Sequence, residues 1–85
     1  MTLYHTPYCP YCHVVRRAAS SLGIHLDLVD INEDHTARAM LMQRRGRATV
    51  PVLLIPDGDK GRLMPESADI VSYLRRLDRS EVTHA

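Results

Sequence analysis

The chain has two cysteines, Cys9 and Cys12, separated only by Pro10 and Tyr11. Thiols at that spacing can bond to each other or share a metal ion, and their surroundings decide between these outcomes. A strand-like run, Thr2-Leu3-Tyr4-His5, precedes them, and a helical pattern from His13 to Leu22 follows. That order sets Cys9 just before a helix N-terminus, where unpaired backbone N–H groups and the helix dipole favour negative charge. The thiolate is the reactive form of the side chain. Pro10 suits the first helical turn, where its missing N–H is no loss. Cys12 lies one turn along, within reach of a bond back to Cys9. The pattern reads as a redox-active dithiol. A zinc site would need a second cysteine pair or a closely spaced histidine pair, which the sequence does not supply. Cys9 to His13 also fits the C-x-x-C-H pattern of c-type haem attachment, which goes with export. The N-terminus carries no charged segment followed by an apolar run. A purely structural bridge would close too small a loop to restrain the unfolded chain much.

The elements that must hold this pair follow from the apolar spacing. Val15, Ala18, Ala19 and Leu22 recur at i, i+3, i+4 and i+7, the stripe of a helix that Gly23 can end. Ile24 to Ile31 alternates as a second strand, with Ile24, Leu26 and Leu28 on one side. A second helix follows, capped by Asp34 or Thr36, turning Ala37, Met40 and Leu41 inward and stopping at Gly46. Val50 to Ile55 is apolar enough for a central strand. Asp57 to Gly61 is a turn and Arg62-Leu63-Met64 a returning strand, so the two form a hairpin. Ile70, Tyr73, Leu74 and Leu77 mark a last helix. The first strand–helix–strand unit should be a right-handed parallel crossover, with the hairpin adding an antiparallel edge. The expected architecture is α/β, a thioredoxin-like βαβαββα fold with a four-stranded mixed sheet flanked by three helices.

Eighty-five residues suffice for one small domain with a single core. We expect it to span residues 1–78, with a polar, frayed tail over 79–85. A net charge of +1 gives no reason to expect nucleic acid or an anionic membrane as partner. No apolar run approaches the length of a membrane span. The isolated C-x-x-C pair and the lack of a signal-like N-terminus make the reducing cytoplasm the expected compartment.

Three separated stretches, Cys9-Pro10-Tyr11-Cys12, Thr49-Val50-Pro51 and Pro65-Glu66-Ser67-Ala68-Asp69-Ile70-Val71, occur in an order that resembles a glutaredoxin from Leu3 to about Asp78. The last stretch is closer to the glutathione S-transferase N-terminal domain and to the two-domain bacterial glutaredoxins related to it. Those proteins carry a following helical domain, so the chain resembles a free-standing version of their first domain. The resemblance implies that Thr49, Val50 and Pro51 form a cis-proline loop. A cis Val50–Pro51 bond would turn the Val50 backbone towards the sulfurs, free to pair with an extended peptide such as glutathione. It implies that Ser67 binds the γ-glutamyl carboxylate at a helix N-terminus, with Glu66 or Asp69 on the ligand's ammonium. Tyr11 would pack over bound glutathione, and Tyr4 and Tyr73 at or near the core. Many family members place a lysine before the active-site loop, on the glycyl carboxylate. Here that region reads His5-Thr6-Pro7-Tyr8, and Arg38 is the residue aligned with a second family position on the same carboxylate. Arg44, Arg45 and Arg47 surround Gly46, where a helix end favours cations.

The resemblance implies a glutathione-dependent thiol–disulfide oxidoreductase, with Cys9 and Cys12 catalytic. Glutathione would be the reducing co-substrate, with no permanently bound cofactor or metal. Partners would be disulfide-bonded or glutathionylated proteins, and the chain would act as a monomer. Two alternatives stand beside it. One is a carrier of a [2Fe–2S] cluster ligated by glutathione, which Pro10 disfavours because such relatives usually have a smaller or more flexible residue there. The other is a non-catalytic glutathione-binding module.

Overall fold

A computed structural model of the chain describes the backbone of residues 1–84 and the side chains of residues 1–78. The elements run β1 (Thr2–His5), α1 (Pro10–Leu22), β2 (Asp27–Asp30), α2 (His35–Arg45), β3 (Val52–Ile55), β4 (Arg62–Pro65) and α3 (Ser67–His84). The strands form one sheet in the order β2-β1-β3-β4. β1 pairs parallel to β2 through α1, while β3 pairs antiparallel to both β1 and β4. This is the mixed, three-helix thioredoxin-like architecture expected from the sequence. The backbone of the polar segment over 79–84 is helical, a continuation of α3, and its side chains lie outside the described residues. Among the described residues no helix is long and apolar enough to cross a membrane.

Alternation along the strands divides the core in two. Leu3 and Leu53 join Val15, Ala19, Ile70 and Leu74 on the face covered by α1 and α3. Tyr4 and Val52 join Ala37 and Leu41 on the face covered by α2. Both short helices end on left-handed glycines, Gly23 (φ 70°) and Gly46 (φ 76°), where a side chain would be strained. Asp34, one of the two caps considered for α2, accepts the Ala37 N–H at 2.9 Å. At its other end Arg44 donates to two carbonyls of the β3–β4 turn, Lys60 at 3.0 Å and Gly61 at 2.8 Å. Helix α2 is thereby tied to the hairpin.

Two strands are shorter than their sequence suggests. The β2 ladder starts at Asp27, opposite Thr2, because a parallel strand can extend only as far as its partner. The Ile24 N–H is already taken by the Ala19 carbonyl at 2.9 Å, closing the end of α1. Leu28 shares its face with Leu3 but sits on the sheet edge, half exposed, rather than on an inward stripe with Ile24 and Leu26. β3 begins at Val52, after Pro51, which has no N–H for a ladder.

Candidate active site

Cys9 is the N-cap of α1. Its sulfur accepts the Cys12 N–H at 3.3 Å, the role a serine or aspartate oxygen usually fills. Its own N–H donates to the Thr6 carbonyl at 3.3 Å, and its carbonyl accepts the His13 N–H at 3.1 Å. The loop from β1 is therefore closed onto the first turn of the helix. Cys9 is partly exposed, whereas Cys12 is fully buried on the stripe that α1 shares with Val15 and Ala19. The two thiols are not bonded to each other. Burial, reinforced by the hydrogen bond with Cys9, pushes the Cys12 thiol up to about 12, against smaller opposing effects of the Thr6 backbone and Arg16. Cys12 is thus a neutral thiol across the physiological range, and the pair is chemically asymmetric. Among the described residues no three His, Cys, Asp or Glu side chains stand close enough to share a metal ion.

The Val50–Pro51 bond is cis, and the Cys9 Sγ lies 3.9 Å from the Val50 carbonyl, a long contact. Val50 and Pro51 also line a cleft of about 410 Å³. α1 contributes Tyr11 to it, and the end of α2 and the following loop contribute Arg45, Arg47 and Thr49. Pro65, Glu66 and Ser67 come from the β4–α3 junction. Arg45 is oriented by Thr49, donating to its hydroxyl at 3.2 Å and its carbonyl at 3.4 Å. Glu66 is the one described residue other than glycine with a left-handed backbone, φ 73°. Its carbonyl accepts the Ile70 N–H at 3.0 Å as α3 begins, which leaves the first N–H groups of the helix at the cleft. A second hollow of about 490 Å³, lined by Met40, Gln43, Arg44 and Lys60, contains no thiol.

The cleft brings together Tyr11, Thr49, Val50, Pro51, Glu66 and Ser67, all singled out from the sequence. Arg38 is exposed on α2 and is not among the lining residues, and Asp69 is exposed in the first turn of α3, also outside the lining. In their place the lining includes Arg45 and Arg47, to which the sequence reading gave no role beyond a helix end that favours cations. The available signal was position: both arginines fall within four residues of Thr49, next to the glycine that turns the chain out of α2. Among the described residues no oppositely charged group lies within 4 Å of Arg45, Arg47 or Glu66. The cleft therefore offers two unpaired cations and one unpaired anion.

A dithiol capping the first helix of a thioredoxin-like sheet, beside a cis-proline loop, defines a thiol-reactive domain of that fold. Comparison with known proteins narrows the class. Residues 3–81 match the glutathione S-transferase N-terminal domain family. Glutaredoxin 2 of Escherichia coli K12 is 37% identical over 79 residues, which are 92% of this chain and 34% of that protein. A glutaredoxin of Neisseria meningitidis is 31% identical over 62 residues, 72% of this chain and 73% of its own length. Among solved structures, glutathione S-transferase 1-6 of Anopheles dirus species B superposes with a TM-score of 0.70 at 29% identity, over 91% of this chain and 35% of that one. Leishmania TDR1, a trimeric glutathione transferase, gives 0.73 at 33% identity, over 88% and 17%. The chain belongs to the glutathione S-transferase N-terminal domain family, among its glutaredoxins. It spans about a third of the length of glutaredoxin 2. The trimeric neighbour gives no support to the monomer expected from the sequence.

Proposed function

We propose that the chain is a glutathione-dependent thiol–disulfide oxidoreductase of the glutaredoxin type, with Cys9 as nucleophile and Cys12 as resolving thiol. The charge pattern of the cleft beside Cys9 is the observation that supports this best. Glutathione has an ammonium and a carboxylate at its γ-glutamyl end, a second carboxylate at its glycyl end, and the thiol between them. Glu66 complements the ammonium, while Ser67 and the start of α3 complement the neighbouring carboxylate. Arg45 and Arg47, rather than Arg38, complement the glycyl carboxylate. The Val50 backbone offers the extended peptide its pairing groups, and Tyr11, 66% exposed, covers it from the α1 side.

With glutathione mixed disulfides, the Cys9 thiolate attacks the glutathionyl sulfur. The old S–S bond breaks, and the protein leaves as thiolate. A second glutathione thiolate then attacks the glutathionylated Cys9, releasing glutathione disulfide and restoring the thiolate. With protein disulfides, Cys9 opens the bond, and Cys12 displaces the substrate from the mixed intermediate. The substrates are glutathionylated or disulfide-bonded proteins in a reducing compartment such as the cytoplasm.

Turnover of a small glutathione mixed disulfide tests this reading. Cys9→Ser should lose all activity. Cys12→Ser should retain it but lose most action on protein disulfides. Arg45→Ala/Arg47→Ala and Ser67→Ala should each raise the KM for glutathione by roughly ten- to a hundredfold. That range is the equivalent of one charge-assisted hydrogen bond of about 1.5–3 kcal/mol. A wild-type protein that binds glutathione without turnover would instead be the non-catalytic module, and activity surviving in Cys9→Ser would remove the assigned nucleophile.

A further inference from the structure

Two buried side-chain polar atoms among the described residues have no hydrogen-bond partner, Nδ1 of His5 and Nε of Arg16. His5, 7% exposed, is the one buried polar or charged residue of the described core. Strand alternation puts it on the same face of the sheet as Leu3, and Leu3 packs with Val15 and Ala19 of α1. In a strand–helix–parallel-strand crossover the helix runs back along the first strand. Advancing from Leu3 to His5 on β1, about 7 Å, therefore corresponds to stepping back from Val15 to Cys12 on the buried stripe of α1, about 4.5 Å. Asp30 stands beside His5 in the β1–β2 register. Arg16, one turn beyond Cys12, lines a hollow with Leu28, the residue registered with Leu3. The layer between α1 and the sheet thus holds Cys12, Arg16 and His5, while Asp30, on the edge strand, turns its Oδ1 to the Asn32 N–H at 2.9 Å. Of the residues that β3 and α3 turn into it, Leu53, Ile70 and Leu74 are apolar, and the phenol of Tyr73 packs at its margin.

Resolution of a mixed disulfide requires the Cys12 thiol to lose its proton, yet this thiol is fully buried and weakly acidic. Its sulfur needs an internal base. We propose that His5 is the proton acceptor for Cys12 in the resolving step, an inference that rests on the dithiol reading above. In the mixed disulfide the Cys12 S–H proton passes to His5 Nδ1, which holds no hydrogen bond in the reduced structure, and the Cys12 sulfur attacks the Cys9 sulfur. The bond between Cys9 and the substrate breaks, its electron pair leaves on the substrate thiolate, and the Cys9–Cys12 bond forms. The imidazolium returns its proton to the departing thiolate or to solvent. Arg16 favours the transient Cys12 thiolate.

Mixing the reduced protein with an aromatic disulfide that releases a coloured thiolate separates the steps in one stopped-flow trace. The first equivalent reports attack by Cys9 and the second reports displacement by Cys12. In the wild type the second phase should follow an imidazole ionisation as pH is varied. His5→Gln should slow that phase by roughly a hundredfold or more, the usual contribution of a general base, and abolish its ionisation, with the first phase unchanged. A His5→Gln protein whose second phase keeps the wild-type rate and pH profile would overturn the proposal. A second phase persisting in Cys12→Ser would instead overturn the dithiol reading itself. The wild-type protein supplies a check independent of any variant's folding. An NMR titration of His5 should give different ionisation in the reduced and Cys9–Cys12 oxidised forms, and identical titration in both would also overturn the assignment.

Discussion

At the scale of single residues, Cys9 and Cys12 differ in what surrounds their sulfurs. Cys9 is partly exposed and takes a backbone N–H, whereas Cys12 is sealed beneath the helix. A small alkylating agent at neutral pH should therefore modify Cys9 and leave Cys12 untouched, as peptide mass mapping would show. Modification of Cys12 in the folded protein would contradict its burial. The same asymmetry links stability to pH. The Cys12 thiol ionises near 9.0 when free and is pushed up to about 12 in the folded chain. Between these values the folded state keeps a proton that the unfolded state releases. The contribution is fully present below about pH 9 and is lost as pH rises towards about 12. The urea midpoint should fall over that window, and fall less steeply in Cys12→Ala.

At the scale of elements, the joint between β4 and α3 is where backbone geometry and the cleft meet. Glu66 holds φ at 73°, a conformation that costs a non-glycine residue on the order of 1–2 kcal/mol. Glu66→Gly should therefore leave thermal stability unchanged or raise it by up to about 1 kcal/mol at the midpoint, while raising the KM for glutathione. A variant both less stable and unaltered towards glutathione would contradict the role given to this joint. Nothing in the side chain of Glu66 announces such a backbone, which is set by the turn out of β4 and was not legible in the sequence. What the sequence made legible was whatever has a local cause. Asp34 and the two helix-ending glycines act within a few residues, and Cys9 and Pro10 mark the start of α1 through their own chemistry. The start of β2 escaped because its length is dictated by β1, a partner more than twenty residues away. Arg45 and Arg47 escaped because their place depends on how the chain leaves Gly46. Periodicity says only that they are polar and near a helix end.

At the scale of the whole molecule, the sheet has a different apolar layer on each side, and its inner strands β1 and β3 belong to both. Leu53, fully buried in β3, packs in the layer beneath α1 and α3. Leu53→Ala should cost about 2–5 kcal/mol, a large share of the 5–15 kcal/mol typical of small domains. Chemical denaturation should register it as a lower midpoint, and a loss below about 1 kcal/mol would mean that this layer tolerates a void. The two layers also divide the labour of the site. The sulfurs belong to the α1 face, whereas Arg45 is carried by a helix packed on the opposite face. Such a partition makes the domain modular in an evolutionary sense. On the function proposed above, changes confined to α2 and its exit loop would select among small thiols with different acidic ends, glutathione or another, and leave the thiol pair across the sheet intact.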